Sequence, residues 1–249
     1  DQRKRTRFAV RGTFRLDDQT SLVIIGAGIV GAATAFYATR AGMDAIVLEK
    51  REQPGMLTTA VSSECIREQW RQPHNIAMMR ESMDVIEHFA QQVGLPGYDI
   101  SLRQQGYLSL PADPARVPAF ERLIALQRQH GLAAVELLDG AAARRRFPWL
   151  APTVLAARFN QRDGWLAVHE LLWGFIKGSD ASYIMNTQVT GIETNRRGVC
   201  AVVTTLGRIA TRRVVVAAGP FAAAVAALAG VHLPLVNERH QETRLSRPG

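Results

Sequence analysis

The stretch VIIGAGIVGAATAFYATRAGMDAIVLEK, residues 23–50, constrains the fold more than any other part of the chain. It begins with a β-branched apolar run, passes through three glycines spaced G-x-G-x-x-G, and ends with an acid after a second apolar run. A short, continuous, β-branched run is typical of a strand buried in a parallel sheet. We therefore predict a strand over 21–25, a helix over 29–40 and a second strand over 44–48.

The three glycines of this stretch each have a separate expected use. Gly26 permits a tight exit from the strand, Gly28 lets a pyrophosphate approach the backbone, and Gly31 lets the helix pack closely on the sheet. The helix N-terminus directs unpaired N–H groups and a partial positive charge towards the phosphates. Glu49 lies 23 positions after Gly26, near the spacing at which an acid reaches a ribose hydroxyl. These residues predict a nucleotide site in which the acid disfavours NADP; the alternative is a βαβ unit that binds no nucleotide.

The chain after Glu49 distinguishes between dinucleotides. An NAD-dependent dehydrogenase would continue with further βα units, and none follow. Instead, a polar stretch over 53–75 is followed by helical segments and by an alternating, strand-like run over 103–110. Strand-like runs separated by turn residues return between 182 and 211. The apolar run RVVVAAG, 213–219, then predicts a parallel strand that rejoins the first sheet, and this order favours FAD over NAD.

Composition narrows the class of protein and its partners. The chain of 249 residues is 47% hydrophobic, which is typical of a globular protein. No apolar run reaches the roughly 18–20 residues that span a bilayer, so we expect no membrane helix. The two cysteines are far apart in sequence, which favours a reduced, cytoplasmic setting. The chain has a net charge of +8, and part of this positive charge lies in residues 1–20, which we interpret as a solvated basic leader. The sequence shows no basic stripe interleaved with aromatic residues, so we expect no nucleic-acid partner.

Four segments together resemble one family. They are the glycine-rich stretch, QQGYLSL, DGWLAVHELL and VTTLGRIATRRVVVAAGPF. The chain from about residue 21 onward is similar to the FAD-dependent D-amino-acid-oxidase-like oxidoreductases, which include glycine oxidase, sarcosine oxidase and dimethylglycine dehydrogenase. The resemblance implies that FAD accepts a hydride at flavin N5 from the carbon next to the nitrogen of a small amine or amino acid. It also implies an electron acceptor, either oxygen or a carrier.

The resemblance implies a set of FAD-binding residues, carried over position by position. They are Gly26, Ala27, Gly28, Ile29, Val30 and Gly31 for the pyrophosphate, Glu49 and Lys50 for the adenosine ribose, Thr58, Thr59, Ser62 and Ser63 for the passage of the chain along the flavin and pyrophosphate, Val189 for the adenine, and Ala217, Ala218 and Gly219 for the flavin and its linker. Some relatives attach flavin covalently through a histidine where this chain has TTAVSSE, so the resemblance implies non-covalent FAD. The six histidines share no metal-ligand spacing, and we expect no metal site.

Arg67 is the residue that the resemblance implies for the substrate. It matches an arginine that pairs with the substrate carboxylate in some members, and a guanidinium offers two parallel donors to a carboxylate. The alternative is a surface ion pair between Arg67 and either Glu64 or Glu68.

The implied fold is α/β: a Rossmann-like FAD-binding parallel sheet with a three-stranded β-meander, plus a partial α+β substrate domain. We expect a discontinuous FAD-binding domain over 21–100 and 150–235, and an incomplete substrate side over 101–149 and 236–249. Family members continue well beyond this point. The chain is therefore expected to be a fragment, a degenerate protein, or an FAD- or ADP-binding subunit without independent activity that a second chain completes.

Overall fold

The computed structural model describes residues 7–9, 19–111, 113–239 and 241. The strands are β1 (Arg7–Ala9), β2 (Leu22–Ile25), β3 (Ala45–Leu48), β4 (Cys65–Ile66), β5 (Tyr107–Ser109), β6 (Glu136–Asp139), β7 (Ala156–Asn160), β8 (Gly164–Trp165), β9 (Ser182–Ile184), β10 (Val189–Asn195), β11 (Gly198–Thr204), β12 (Gly207–Ala210) and β13 (Val214–Val216). The helices are α1 (Ile29–Arg40), α2 (Pro73–Glu87), α3 (Phe89–Gln92), α4 (Val117–Gln129), α5 (Gly140–Arg146), α6 (Val168–Gly178) and α7 (Ala222–Ala227).

The chain divides into two compact units. The first comprises Asp1–Ser63, Val93–Pro96 and Val168–Gly249, and the second comprises Glu64–Gln92 and Gly97–Ala167. The predicted bounds of the FAD-binding domain and of the substrate side stay a prediction.

A five-stranded parallel sheet forms the centre of the first unit. Its strand order is β1-β9-β3-β2-β13, and every pair in it is parallel. The residues of β2 and β3 are fully apolar and all buried, as expected for strands covered on both faces. The last strand, β13, pairs with β2, so the apolar run before Gly219 does rejoin the first sheet. The predicted fold class is thereby confirmed.

Strands β10, β11 and β12 form the expected antiparallel meander in the first unit. Its apolar residues Ile192, Val202 and Ile209 pack against Val23 and Leu48 of the parallel sheet in one buried cluster. Helices α1 and α6 also pack on each other. The sheet is thus held by apolar contacts that fix where the ends of β2, β3 and β13 lie, and these ends position the site described below.

The second unit has an antiparallel sheet of its own. Its order is β5-β7-β6, and a separate pair is formed by β4 and β8. Helix α2 begins at Pro73, because proline is tolerated in the first turn of a helix. Strands β6 and β7 and helix α5 were not expected from the sequence.

Two expectations concern parts of the chain that the structure describes only partly. Most of the predicted basic leader, 1–20, lies outside the described residues. Within its described part, strand β1 pairs in parallel with β9, and Gln19 forms a bridge with Ala210. In the described part of the chain, no helix is both long and apolar enough to span a bilayer. The predicted cytoplasmic location stays a prediction.

Candidate functional site: a cleft at the glycine bend

The glycine bend joins β2 to α1, and its first and third glycines are required by close packing. Gly26 has a φ of +109°, and a Cβ there would lie 2.4 Å from the carbonyl oxygen of Ala217. A Cβ on Gly31 would lie 1.9 Å from the carbonyl oxygen of Gly26. Both positions therefore exclude any side chain, and they bring β2, α1 and the end of β13 together.

Gly28 differs from the other two glycines of the bend. Its φ of −75° is ordinary for any residue. A Cβ there would have only one neighbour within 4 Å, the hydroxyl oxygen of Thr59 at 3.3 Å. A side chain at Gly28 would require the Thr59 hydroxyl to move by a few tenths of an ångström, so packing restricts this position far less than Gly26 or Gly31, and the backbone of Gly28 borders the cavity described below.

Thr59 supplies the cap that Gly28 cannot. Gly28 is the N-cap residue of α1 and makes no side-chain cap bond. The Ile29 N–H instead donates to the Thr59 hydroxyl oxygen over 3.2 Å, although Thr59 lies 30 residues further along the chain. The Thr59 side chain is buried. The loop after β3 is therefore tied to the positive end of α1.

Glu49 follows β3 directly and faces the glycine bend. One of its carboxylate oxygens accepts from the Ala27 N–H over 3.0 Å, and the other accepts from the Arg51 N–H over 2.9 Å. The backbone N–H of Glu49 donates to the Ile184 carbonyl of β9 over 3.0 Å, which fixes the strand end. The acid predicted to hold a ribose is thus placed at the tip of the neighbouring strand, beside the bend.

A cavity of about 880 Å³ opens at these groups, entirely within the first unit. Its volume lies in the range of small-molecule and cofactor sites. Most of the predicted FAD residues line it. They are Gly26, Gly28, Ile29, Val30, Glu49, Lys50, Thr58, Thr59, Ser62, Val189, Ala217, Ala218 and Gly219.

Four predicted site residues lie elsewhere. Ala27 is buried, and its N–H contacts Glu49 rather than the cavity. Gly31 serves the packing of α1, and Ser63 does not line the cavity. Arg67 belongs to the second unit, where its Cζ lies 5.2 Å from the centre of the Trp70 ring and 5.5 Å from that of Tyr107.

Several cavity residues were not identified as site residues from the sequence. Arg51, Gln188 and Phe221 are among them. The Lys50 ammonium lies 3.5 Å from the centre of the Phe221 ring, in a cation–π contact across the cavity wall. Arg51 could have been found from its place two positions after Glu49, whereas nothing in the sequence pairs residues 50 and 221.

The second unit contains a buried polar network that sequence analysis did not identify. Asp163 is fully buried and accepts over 2.8 Å from each of the Glu68 N–H, the Gln69 amide and the Asn160 amide. Glu68 is also buried and pairs with Arg162 over 3.1 Å. Burial raises the pKa of both carboxyl groups, because it disfavours the charged form. The alternative partner that the sequence offered for Arg67, Glu68, is thus engaged by Arg162.

No cluster of three or more His, Cys, Asp or Glu side chains suited to a metal ion is found among the residues that the structure describes. The two cysteines, Cys65 and Cys200, are not joined by a disulfide.

A parallel sheet with a glycine bend, a helix N-terminus and an acid on the next strand tip defines a dinucleotide-binding α/β protein. Comparison with known families is consistent with this class. A model of the family "DAO: FAD dependent oxidoreductase" matches residues 21–249. The chain belongs to this family of FAD-dependent oxidoreductases, and the resemblance seen in the sequence is confirmed.

Individual relatives agree with the family assignment. The chain is 30% identical to sarcosine oxidase subunit beta of Rhizobium meliloti (strain 1021), over 86% of this chain and 53% of that protein. It is 27% identical to human mitochondrial dimethylglycine dehydrogenase, over 90% of this chain and 26% of that protein. Among solved structures, L-proline dehydrogenase from P. horikoshii is 29% identical with a TM-score of 0.79, over 87% of this chain and 57% of that one. The chain thus spans about half, or less, of the length of these relatives.

Proposed function

We propose that this chain binds FAD non-covalently in the cleft of the first unit, and that it contributes this site to an oxidoreductase acting on the C–N bond of a small amine or amino acid. The observation that carries the proposal is the joint placement of Gly28 and Glu49. The open backbone of Gly28 and the Glu49 carboxylate line one cavity, next to the N-terminus of α1. The residues present therefore fit a dinucleotide.

The cavity residues would hold different parts of the cofactor. The N-terminus of α1 and the backbone of Gly28 would face the pyrophosphate, since peptide N–H groups and the helix dipole favour anions there. The Glu49 carboxylate would accept hydrogen bonds from the ribose hydroxyls, with Lys50 beside it. The backbone of Val189 would meet the adenine, and the segment Ala217–Gly219 would lie along the flavin linker.

FAD, when bound, would supply the two-electron, hydride-accepting chemistry that oxidises the C–N bond of the substrate. The electrons would leave for oxygen or for a carrier protein. The segment 57–64 contains no histidine, which supports non-covalent binding. Arg67 would contact the substrate carboxylate in this proposal.

A second candidate function is a cofactor-binding subunit or fragment that another chain completes. The coverage of the relatives favours it, because about half the length of the first relative described above lies outside the match. On this view the chain binds FAD or its ADP portion and turns over no substrate by itself.

Two measurements test the proposal. The purified chain, reconstituted with FAD and freed of excess, is expected to show a flavin absorbance spectrum, and denaturation is expected to release all of the flavin into solution. Anaerobic addition of N-methylglycine or D-amino acids would bleach this spectrum if the chain is active alone. Binding of FAD without bleaching supports the second candidate, and a chain that binds neither FAD nor ADP refutes both.

Glu49→Gln provides a matched test of the carboxylate. We expect FAD affinity to fall by about tenfold, equivalent to roughly 1.4 kcal/mol, because a charge-assisted hydrogen bond to the ribose is replaced by a neutral one. The control is Glu52→Gln, an exposed acid three residues further on that does not line the cavity. Equal affinities of the two variants, measured by fluorescence titration of FAD, would show that Glu49 does not bind the cofactor.

A further inference from the structure

A groove of about 770 Å³ runs between α1 and β13, entirely within the first unit. It is lined from α1 by Ala33, Thr34 and Tyr37 and from β13 by Val214 and Val215. The cofactor cavity shares only two residues with it, both at the start of α1. The groove is therefore a second surface feature, distinct from the site proposed for FAD.

Helix α1 has more apolar surface than the described residues cover. Its sequence, IVGAATAFYATR, contains a single charged residue, the last one. A helix that is apolar all round is typical of one buried on every side. Helix α6 packs against α1, yet Val30 is 63% exposed and Tyr37 is 47% exposed. The flank of α1 along the groove thus lacks the cover that its sequence calls for.

Strand β13 forms the other side of the groove and is an edge strand. Among the described strands it pairs with β2 alone, and its three valines are only half-buried, whereas β2 and β3 are fully buried. The Arg213 carbonyl and the Ala217 N–H both bond to β2. Because backbone groups alternate in direction along a strand, those of Val214 and Val216 face away from β2. Such an apolar edge is a template for a further strand.

The spacing of helices on a sheet indicates what fits the groove. Strands lie about 4.8 Å apart and a helix is about 10 Å wide, so one helix covers about two strands. Helix α1 contacts both β2 and β3, which leaves this face of β13 to another helix. The opposite face is covered, since Val214 and Val225 of α7 pack against the cluster that contains the meander. The groove thus has room for one helix that covers β13 and one further strand beside it.

We propose that this groove is the docking site of a separate polypeptide, which adds a parallel strand to β13 and lays a helix along α1. The proposal rests on the second candidate function, and the partner is a polypeptide similar to the part of the relatives that this chain does not match; in the first relative that part is about half of the length.

Other occupants fit the groove less well. A second copy could add its own β13, but its α1 already covers β2 and β3 and would leave the groove open. Residues 240–249, HQETRLSRPG, contain one large apolar side chain, that of Leu245, and cannot supply an apolar helix. A strand followed or preceded by an apolar helix, carried on another polypeptide, satisfies both the edge of β13 and the flank of α1.

Photo-cross-linking of the full 249-residue chain in the cells from which it comes tests the proposal. Tyr37 is replaced by the cross-linker p-benzoylphenylalanine, and the linked peptides are identified by mass spectrometry. We expect a link to a helix of a second polypeptide that is similar to the unmatched part of the relatives. The same cross-linker in place of Met78, an exposed residue of α2, should give no such product.

Two variants, each combined with the cross-linker at position 37, block the groove from its two sides. Ala33→Arg should lower the yield of the product by about tenfold or more, because docking would bury its charge without a partner. Val214→Pro should also lower the yield, because it removes a backbone N–H that faces away from β2. The matched control, Ala125→Arg, places the same charge on an exposed position of α4 and should keep the yield.

The isolated variants show whether the groove is open. Both blocking variants should remain folded, and Ala33→Arg should shift the melting temperature by less than about 2 °C, as substitutions at exposed positions usually do. A strongly destabilised Ala33→Arg chain would mean that the chain itself fills the groove, and this would overturn the proposal.

The proposal is also overturned if position 37 gives no product, if it links to a second copy or to a protein unlike these relatives, or if either folded blocking variant cross-links like Ala125→Arg. Cross-linking needs no flavin, so its failure leaves the FAD proposal standing. Conversely, a chain that cross-links as expected but binds neither FAD nor ADP would support the docking site and refute the proposed function.

Discussion

The glycines of the bend after β2 show how one sequence pattern combines two requirements. Gly26 and Gly31 are enforced by contacts inside the protein, since a Cβ at either position would overlap a backbone carbonyl oxygen. Gly28 is not enforced in this way, because its backbone conformation is ordinary and its nearest neighbour is a single hydroxyl. The fold explains two of the three glycines, and we propose that access for the ligand explains the third.

This distinction predicts opposite effects of two similar substitutions. Gly28→Ala should reduce the free energy of unfolding by less than about 1 kcal/mol, the usual difference between residues at an N-cap. It should nevertheless weaken FAD binding by about tenfold or more, because the methyl group enters the cavity where the pyrophosphate approaches. Gly26→Ala should instead destabilise the chain by more than about 2 kcal/mol through overpacking and an unfavourable φ.

Urea denaturation and FAD titration on the same preparations check both variants. Unchanged FAD affinity in a folded Gly28→Ala chain would contradict the assignment of this glycine to the ligand. A Gly26→Ala chain as stable as the wild type would contradict the packing argument.

Helix α1 depends on a cap that comes from a distant loop. Glycine as the N-cap residue of α1 leaves the first N–H groups without a side-chain acceptor, and the Thr59 hydroxyl accepts from one of them. The same loop continues through Thr58 to Ser62 along the cavity. Stabilisation of the helix and formation of the cavity wall are therefore linked through one hydroxyl group.

Thr59→Val should remove this cap while keeping the shape of the side chain. We expect the free energy of unfolding to fall by about 1 kcal/mol, because the partly buried Ile29 N–H loses its acceptor. Thr59→Ser keeps the hydroxyl and serves as the control, with most of the stability retained. Chemical denaturation of both variants decides the matter, and a Thr59→Val chain at least as stable as Thr59→Ser would show that the hydroxyl does not cap α1.

Elements with a strong periodic pattern were predictable from the sequence. The bounds of α1 agree with the expected 29–40, and the meander and β13 lie where turn residues and apolar runs placed them. Strand β7 was not predictable, because all five of its residues are buried although Arg158 and Asn160 are polar. Such a strand shows neither an alternating nor a continuous apolar pattern, and only tertiary contacts stabilise it.

The residues of the candidate site were likewise predictable only where a local sequence pattern places them. Gly28 and Glu49 were identified because their spacing is fixed by one strand–helix–strand unit. The contact between Lys50 and Phe221, and the partners of Glu68, join segments far apart in the chain, and no local pattern encodes them.

At the scale of the whole molecule, Arg162 joins several segments of the second unit. Arg162 lies just before β8. Its guanidinium forms ion pairs with Glu68, which precedes α2, and with Asp84 and Glu87 of α2. The hydrogen bond from Arg162 lowers the pKa of Glu87, whereas burial raises that of Glu68. Glu68 is the sensitive partner, because it is only 1% exposed.

We therefore expect Arg162→Met to reduce the free energy of unfolding by roughly 3 kcal/mol at pH 7.5, the cost of leaving a buried charge unpaired. A carboxyl group whose pKa is raised by folding binds protons more readily in the folded chain than in the unfolded one. Its contribution to stability is therefore full below the unfolded pKa of about 4.3, and it is lost as the pH rises through the folded pKa. Without Arg162 the pKa of Glu68 rises further, and the deficit should be smaller at pH 5 than at pH 7.5, because protonation removes the buried charge. Loss of the Glu87 pair acts in the same direction, since the hydrogen bond from Arg162 is the largest cause of the lowered pKa of Glu87.

Urea denaturation at pH 5 and pH 7.5 measures this difference. The double variant Glu68→Gln with Arg162→Met is the control: without the buried charge it should recover part of the lost stability at pH 7.5 and depend less on pH. A deficit below about 1 kcal/mol, or one that is equal at both pH values, would mean that Glu68 is solvated or neutral in the folded chain and that Arg162 is not what stabilises its charge.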